Sequence, residues 1–380
     1  MIDLTSLVYA LILGFGIFGL DAAWNANTVK TEFTVADSIG ANGVKAEFAT
    51  TVFQRELQEV FATESLVKAP AIRSTFDKTF VTILAESIGV KDATAAFQDL
   101  FGLDPVGIKA TLTTEGKRTR LEVIGEAGVR GTFYLSLEGE EGETTVALIR
   151  RGAVEAALRL DPYHTALYYL DPLSGEPDVE RAKRILDETI ETLAGMPVSP
   201  YRARFRNLRG IVALLEGDKN GAATLFEQAI ADNPTMVASH LNLAFTRVEQ
   251  DRYSDAGMIV RHVLDTRRRG MKPALLASAH TILGVVAWSQ KQYSSAERSF
   301  AAAAEHQPTV SDAYIYWGRM LKEIGQAARA REITRKGEAN LPLFENYPEI
   351  ALLYFWLSEK DNMPLQRRPR GNQRAKTPPS

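Results

Sequence analysis

Five histidines and no cysteine set the limits of the metal and nucleophile chemistry this chain can offer. Without a thiol there is no disulfide framework and no thiolate metal site. The first histidine is His164, so everything before it lacks the Ser-His-Asp and Cys-His constellations and nearly all zinc chemistry. An enzyme built there would have to work with carboxylates, lysines or hydroxyls alone. No HExxH, GxxxxGK[ST] or GxSxG occurs. Gly102 to Lys109 has glycines at phosphate-loop spacing, but Ile108 sits where the lysine belongs. Gly14-Phe15-Gly16-Ile17-Phe18-Gly19 is formally GxGxxG, yet it lies inside a long apolar run rather than between a strand and a helix. Close helix packing in lipid accounts for those glycines more simply.

Three polar groupings remain. Glu138, Glu140, Glu141 and Glu143 straddle Gly139 and Gly142 and read as a solvated acidic turn rather than a cation site. His240 and His280 could bind a metal or sense pH if stacked, but no carboxylate accompanies them at helical spacing, so packing is the expected role. Arg202, Arg204, Arg206 and Arg209, with Arg181, Lys183 and Arg184 before them, are either a solvated helix face or a basic patch for a carboxylate-bearing ligand.

These residues need elements to hold them. The chain has 380 residues, a net charge of −3 and 45% hydrophobic residues, which is ordinary folded protein with no global pull toward nucleic acid. Leu4–Leu20 carries no charge, and Ala22–Trp24 extends it toward a membrane interface. Asp3 before the run and the lack of a small-x-small cleavage site favour a retained single anchor over a cleaved signal or a buried helix. Residues 1–26 are therefore expected to be a transmembrane anchor, touching the membrane through residues 4–24. Orientation is poorly specified, with a lean to an extracytoplasmic soluble part.

Residues 27–143 alternate and then turn helical. Val29, Thr31, Phe33 and Val35 suggest a strand, and Ala46, Ala49, Phe53, Leu57 and Val60 one apolar helix face. Ser74 with Asp77 predicts a helix start, followed by the stripe Phe76, Phe80, Ile83, Leu84 and Ile88 and a shorter helix from Ala93 to Phe101. Runs at 108–112, 120–124 and 132–137 predict an antiparallel meander with Phe133, Leu135 and Leu137 inward. Together these make a compact α+β domain. Residues 144–200 read as a helical connector or a degenerate first repeat, with helices at 146–160, 163–170 and 179–193.

A repeat then takes over. Gly210, Gly217, Ala222, Phe226, Ala229 and Pro234 space two short amphipathic helices, and Ala256, Ala296 and Ala330 recur where Ala222 sits. The steps are 34, 40 and 34 residues, and the six extra residues fall in the turn around Arg267 to Pro273. Asn242, Leu243, Ala244 and Tyr253 belong to the second repeat, Leu283, Gly284, Tyr293, Phe300, Ala303 and Pro308 to the third, and Tyr314, Gly318, Gly325 and Pro342 to the fourth. With these positions, residues 201–342 resemble the tetratricopeptide-repeat (TPR) family, a solenoid of antiparallel helical hairpins. Departures are Arg206 and Arg209 where the family favours bulky apolar residues, and Arg268 at a usual proline.

The resemblance implies a groove lined by Arg204, Asn207, Ile211, Leu241, Phe245, Val248, Thr281, Val285, Trp288, Ile315 and Arg319, suited to an amphipathic protein or peptide segment. Residues 343–360 fit a capping helix and 361–380 a disordered basic tail. The expectation is a non-enzymatic, membrane-anchored adaptor without metal or cofactor, binding a protein rather than nucleic acid. The alternative is an envelope enzyme or glycan-binding protein acting through the α+β domain, with the repeats as a recruitment arm.

Overall fold

The computed structural model describes residues 28–35, 44–63, 65, 73–74, 106–115, 118–126, 132–171, 178–195, 200–308, 311–340 and 350. The apolar run at 4–24, the helices expected at 76–88 and 93–101, the capping helix and the basic tail lie outside them. Among the described residues no helix is long and apolar enough to cross a membrane. By contacts the chain divides into two units, 1–63 with 70–168 and 64–69 with 169–380.

The first unit is built on a sheet of order β2-β1-β3-β4-β5. Its strands are β1 (Thr28–Val35), β2 (Arg73–Ser74), β3 (Val106–Glu115), β4 (Arg118–Glu126) and β5 (Thr132–Glu138). Strands β3, β4 and β5 form the expected antiparallel meander, with Leu121 opposite both Leu112 and Leu137. Strand β1 joins it in parallel, Phe33 opposite Ala110, which requires a crossover between them. Ser74, expected at a helix start, is a strand residue paired with Val29, and the helix expected after it lies outside the described residues.

Helix α1 (Ala46–Phe61) turns Ala49, Phe53, Leu57 and Val60 inward, as its three-and-four spacing predicts. The Phe53 ring meets Phe33 edge-on at 5.3 Å. Helix α2 (Thr145–Leu160), capped by Thr144 Oγ1 accepting from the Ala147 N–H, packs on α1, β4 and β5. Gly152 is where it crosses the sheet, since a Cβ there would lie 2.3 Å from Leu121 Cδ2. Thr145–Leu160, expected in a connector, is thus part of this first core.

The second unit is helical. Helix α3 (Pro162–Leu170) leads from the first unit into it, and α4 (Val179–Thr192) starts on an Asp178 cap. Four hairpins follow: α5 (Pro200–Leu215) with α6 (Lys219–Asp232), α7 (Val237–Glu249) with α8 (Tyr253–Arg267), α9 (Pro273–Ser289) with α10 (Tyr293–His306), and α11 (Ser311–Glu323) with α12 (Ala327–Asn340). Each second helix packs on the next first helix, and successive first helices also touch, so the hairpins stack in sequence. Helix α4 packs on α5 as a preceding second helix would, with Ala182 buried.

Two devices repeat at the same interval. Ala222, Ala256, Ala296 and Ala330 are all buried. Gly210 and Gly284 face Phe226 and Phe300, where an added Cβ would come within 2.5 and 2.4 Å of the ring. The small residue lets the aromatic fill the space between paired helices. Each intra-hairpin turn contains one left-handed residue: Gly217, Asp251, Lys291 and Gly325, with φ of 82°, 57°, 58° and 79°.

Candidate functional site

Partner-facing residues of a helical repeat are those that packing leaves open, so burial sorts the eleven expected groove positions. Ile211, Leu241, Phe245, Val248 and Thr281 are buried between helices, as is Asn207. Asn207 Oδ1 accepts from Ser239 Oγ and Asn242 Nδ2, both at 3.0 Å, which ties α5 to α7. These six side chains hold repeat to repeat. Arg204, Val285, Trp288, Ile315 and Arg319 keep partial exposure. They lie on the first helices α5, α9 and α11 with none on α7, so the row expected from the sequence is interrupted there.

Trp288 and Val285 pack against a core cluster containing Tyr314, Leu321 and Phe300. The Trp288 indole Nε1 donates to Glu323 Oε2 at 2.8 Å, reaching the next repeat. The Arg319 guanidinium lies 5.8 Å from the Tyr316 ring centroid, stacked on an aromatic face. One side of this row is therefore fixed by the fold.

At the arginine-rich start of α5, Arg202, Arg206 and Arg209 are neither a solvated face nor a free basic patch. Asp232, buried at the end of α6, accepts from Arg202 Nε at 2.9 Å, Arg202 Nη2 at 2.7 Å and Arg206 Nη1 at 2.6 Å. Burial disfavours its charge, but the two guanidiniums outweigh that and hold its pKa below the usual range. Arg209 reaches Asp187 at 2.7 Å and Glu216 at 3.4 Å, and Lys183 also pairs with Glu216. Arg206 and Arg209, where bulky apolar residues are usual in the resembling family, thus serve as ion-pair links between helices. No signal in the sequence marked Asp232 as their shared acceptor, 26 to 30 residues downstream.

The acidic turn after β5 is likewise paired. Arg151 donates to both Glu143 carboxylate oxygens, at 3.0 and 2.7 Å, and to the Glu138 carbonyl. Glu138 pairs with Arg120 at 2.7 Å. Those arginines hold both carboxylates below their ordinary pKa. Among the described residues no group of three or more histidine and acidic side chains is placed to hold a metal.

The histidines pair within hairpins, not between them. The His280 ring stacks on His306 with centroids 5.1 Å apart. Burial pushes the His280 pKa down, and the His306 and Arg268 charges add to this. His240 Nε2 lies 2.9 Å from the Pro234 carbonyl. Its pKa is lowered by burial, with Arg267 and His262 adding to this against the Pro234 hydrogen bond. His164 falls within the first unit, beyond the histidine-free stretch 27–143. Its Nδ1 meets Asp161 Oδ2 at 3.0 Å with both side chains wholly buried, so this pair joins α2 to α3 out of reach of any substrate.

Known structures offer likenesses of low identity. The crystal structure of MamA aligns at 15% identity over 43% of this chain and 88% of its own, with a TM-score of 0.33. PilF of Pseudomonas aeruginosa aligns at 18% identity over 50% of this chain and 81% of its own, with a TM-score of 0.38. PilW, described as a widely conserved type IV pilus biogenesis factor, aligns at 19% identity over 55% and 89%, again with a TM-score of 0.38. No protein-family model matches the sequence, and no curated protein matches it.

Proposed function

We propose that this chain is a non-enzymatic scaffold that binds a protein partner through the first-helix row of its helical repeats. The observation that carries the reading is the partly exposed set Arg204, Val285, Trp288, Ile315 and Arg319, left open by four stacked hairpins. Stacked helical hairpins present extended surfaces, and their chemistry here is recognition: flat apolar contacts flanked by guanidiniums. The Arg202–Asp232–Arg206, Arg151–Glu143 and Asp161–His164 groups are internally paired and serve packing. The apolar run at 4–24 would hold the scaffold at a membrane.

Affinity capture with the full chain from native membranes tests the reading. Ile315→Glu and Arg319→Glu should lose the same co-purifying polypeptide, and Thr224→Glu, exposed on a second helix, should retain it. Retention by all three variants would overturn the assignment of the surface. The anchor is tested separately: the full chain should stay in the membrane fraction after a carbonate wash, and recovery in the supernatant would refute it.

A further inference from the structure

Most of the six residues that lengthen one repeat step to 40 lie not in the turn between α8 and α9, where they were expected, but in α9, which has 17 residues where α7 and α11 have 13. The turn itself is the sequence Arg268-Arg269-Gly270-Met271-Lys272 directly after Arg267. It is a turn with an open tip: Gly270 has φ 87°, and nothing lies within 4 Å of where its Cβ would be. Arg268 and Arg269 are exposed, as are Arg261 and His262 on the last turns of α8.

Several arginines elsewhere in the repeats meet carboxylates. Arg202 and Arg206 share Asp232, Arg209 takes Asp187, and Arg247 takes Glu227. The side chains of Arg261, Arg267, Arg268 and Arg269 make no ion pair or hydrogen bond among the described residues, and the buried Nε of Arg267 has no acceptor. A cation at the end of a helix complements its dipole, but one is enough for that. The surplus leaves a net positive charge there, which Asp265 offsets only in part. Arg267 acts on His240 and Arg268 on His280, and no carboxylate opposes either. On the same helix Met258 is 56% exposed, an unusual position for a large apolar side chain.

We propose that the outer face of α8 and the basic turn after it dock an acidic segment of a partner protein, with carboxylates on Arg268 and Arg269 and an apolar side chain on Met258. Guanidiniums bind carboxylates through paired hydrogen bonds, so adjacent arginines suit a chain of Asp and Glu residues. A flat anionic bilayer or a nucleic-acid backbone fits less well. Exposed Asp265 sits among the cations, and exposed Glu305 beside His306. A continuous anionic surface meets both, whereas a peptide places its charges individually. This surface is separate from the first-helix row and binds whether or not that row does.

The test is fluorescence anisotropy with the full chain in zwitterionic nanodiscs and a short peptide of Glu and Asp carrying one Leu. Binding should weaken with added salt and be absent for the Gln/Asn counterpart. Arg268→Glu with Arg269→Glu should weaken it about tenfold or more, while Arg331→Glu with Arg335→Glu, the same charge change at exposed α12 sites, should change it less than about twofold. Met258→Gln should weaken the Leu peptide and not an Ala version. Absence of binding, equal loss in both charge-reversal pairs, or displacement of the peptide by phosphatidylserine vesicles or single-stranded RNA at lower charge concentration would each overturn the proposal.

Discussion

Trp288 of α9 donates its indole N–H to Glu323 of α11 at 2.8 Å, and this bond joins the third hairpin to the fourth. Trp288 therefore has two duties, one face on the core cluster and one edge on the open row. Trp288→Phe keeps an aromatic ring in place but loses the hydrogen bond and part of the indole packing, for which a cost of about 1–2 kcal/mol is expected. Trp288→Ala should cost clearly more, and chemical denaturation of both variants checks the order. Equal destabilisation would mean that the ring contributes no packing.

The close contact between Gly284 and Phe300 leaves no room for a methyl group. Gly284→Ala should destabilise by about 1–3 kcal/mol, despite the better helix propensity of alanine. Ala296→Leu should have a similar effect, since that alanine is wholly buried. An unchanged melting temperature in either variant would show that the hairpin helices are further apart than described.

Much of this was legible in the sequence for a physical reason. Helix contacts that need a small residue recur wherever the contact recurs, so Ala222, Ala256, Ala296 and Ala330 announced the hairpins and their 34-residue step. The three-strand meander was legible through period-two alternation. The groove was legible only in part, because position in a first helix does not say whether the next hairpin covers the side chain: Phe245 and Thr281 are covered, Ile315 is not. The Arg202–Asp232–Arg206 group was not legible, since ion pairs between helices carry no spacing rule.

Lys291 occupies the left-handed turn position that Gly217 and Gly325 fill in other hairpins, with φ 58°. A side chain costs about 1–2 kcal/mol in that conformation, partly offset by the greater freedom glycine has when unfolded. Lys291→Gly should stabilise by about 0.5–1 kcal/mol, and Gly217→Ala should destabilise. Thermal unfolding of both variants provides the check.

Asp232 carries two guanidiniums while buried, so its removal strands them. Asp232→Asn should cost about 2–3 kcal/mol at neutral pH. Its folded pKa lies below the unfolded value near 4. The stability it contributes is therefore present above that value and lost as pH falls through the folded one. Wild-type and Asp232→Asn denaturation midpoints should converge below about pH 4.

Asp312, at the start of α11, is buried with Oδ1 lacking a hydrogen-bond partner. Burial pushes its pKa up to about 7. Protonation thus favours the folded state: this contribution is complete below about pH 4 and lost as pH rises through about 7. Asp312→Asn should flatten the fall in stability between these limits and raise the melting temperature at pH 8. A pH profile identical to wild type would contradict the burial of the charged group.

The scaffold claim is tested most directly by photo-crosslinking in living cells. A photoreactive amino acid is placed singly at Arg204, Val285, Ile315 and Arg319 on first helices, and at Thr224 and Arg298, exposed on second helices. The account predicts adducts to one and the same polypeptide from the first-helix positions and none from Thr224 or Arg298. Adducts to that polypeptide only from Thr224 or Arg298, or no adduct from any first-helix position, would contradict it.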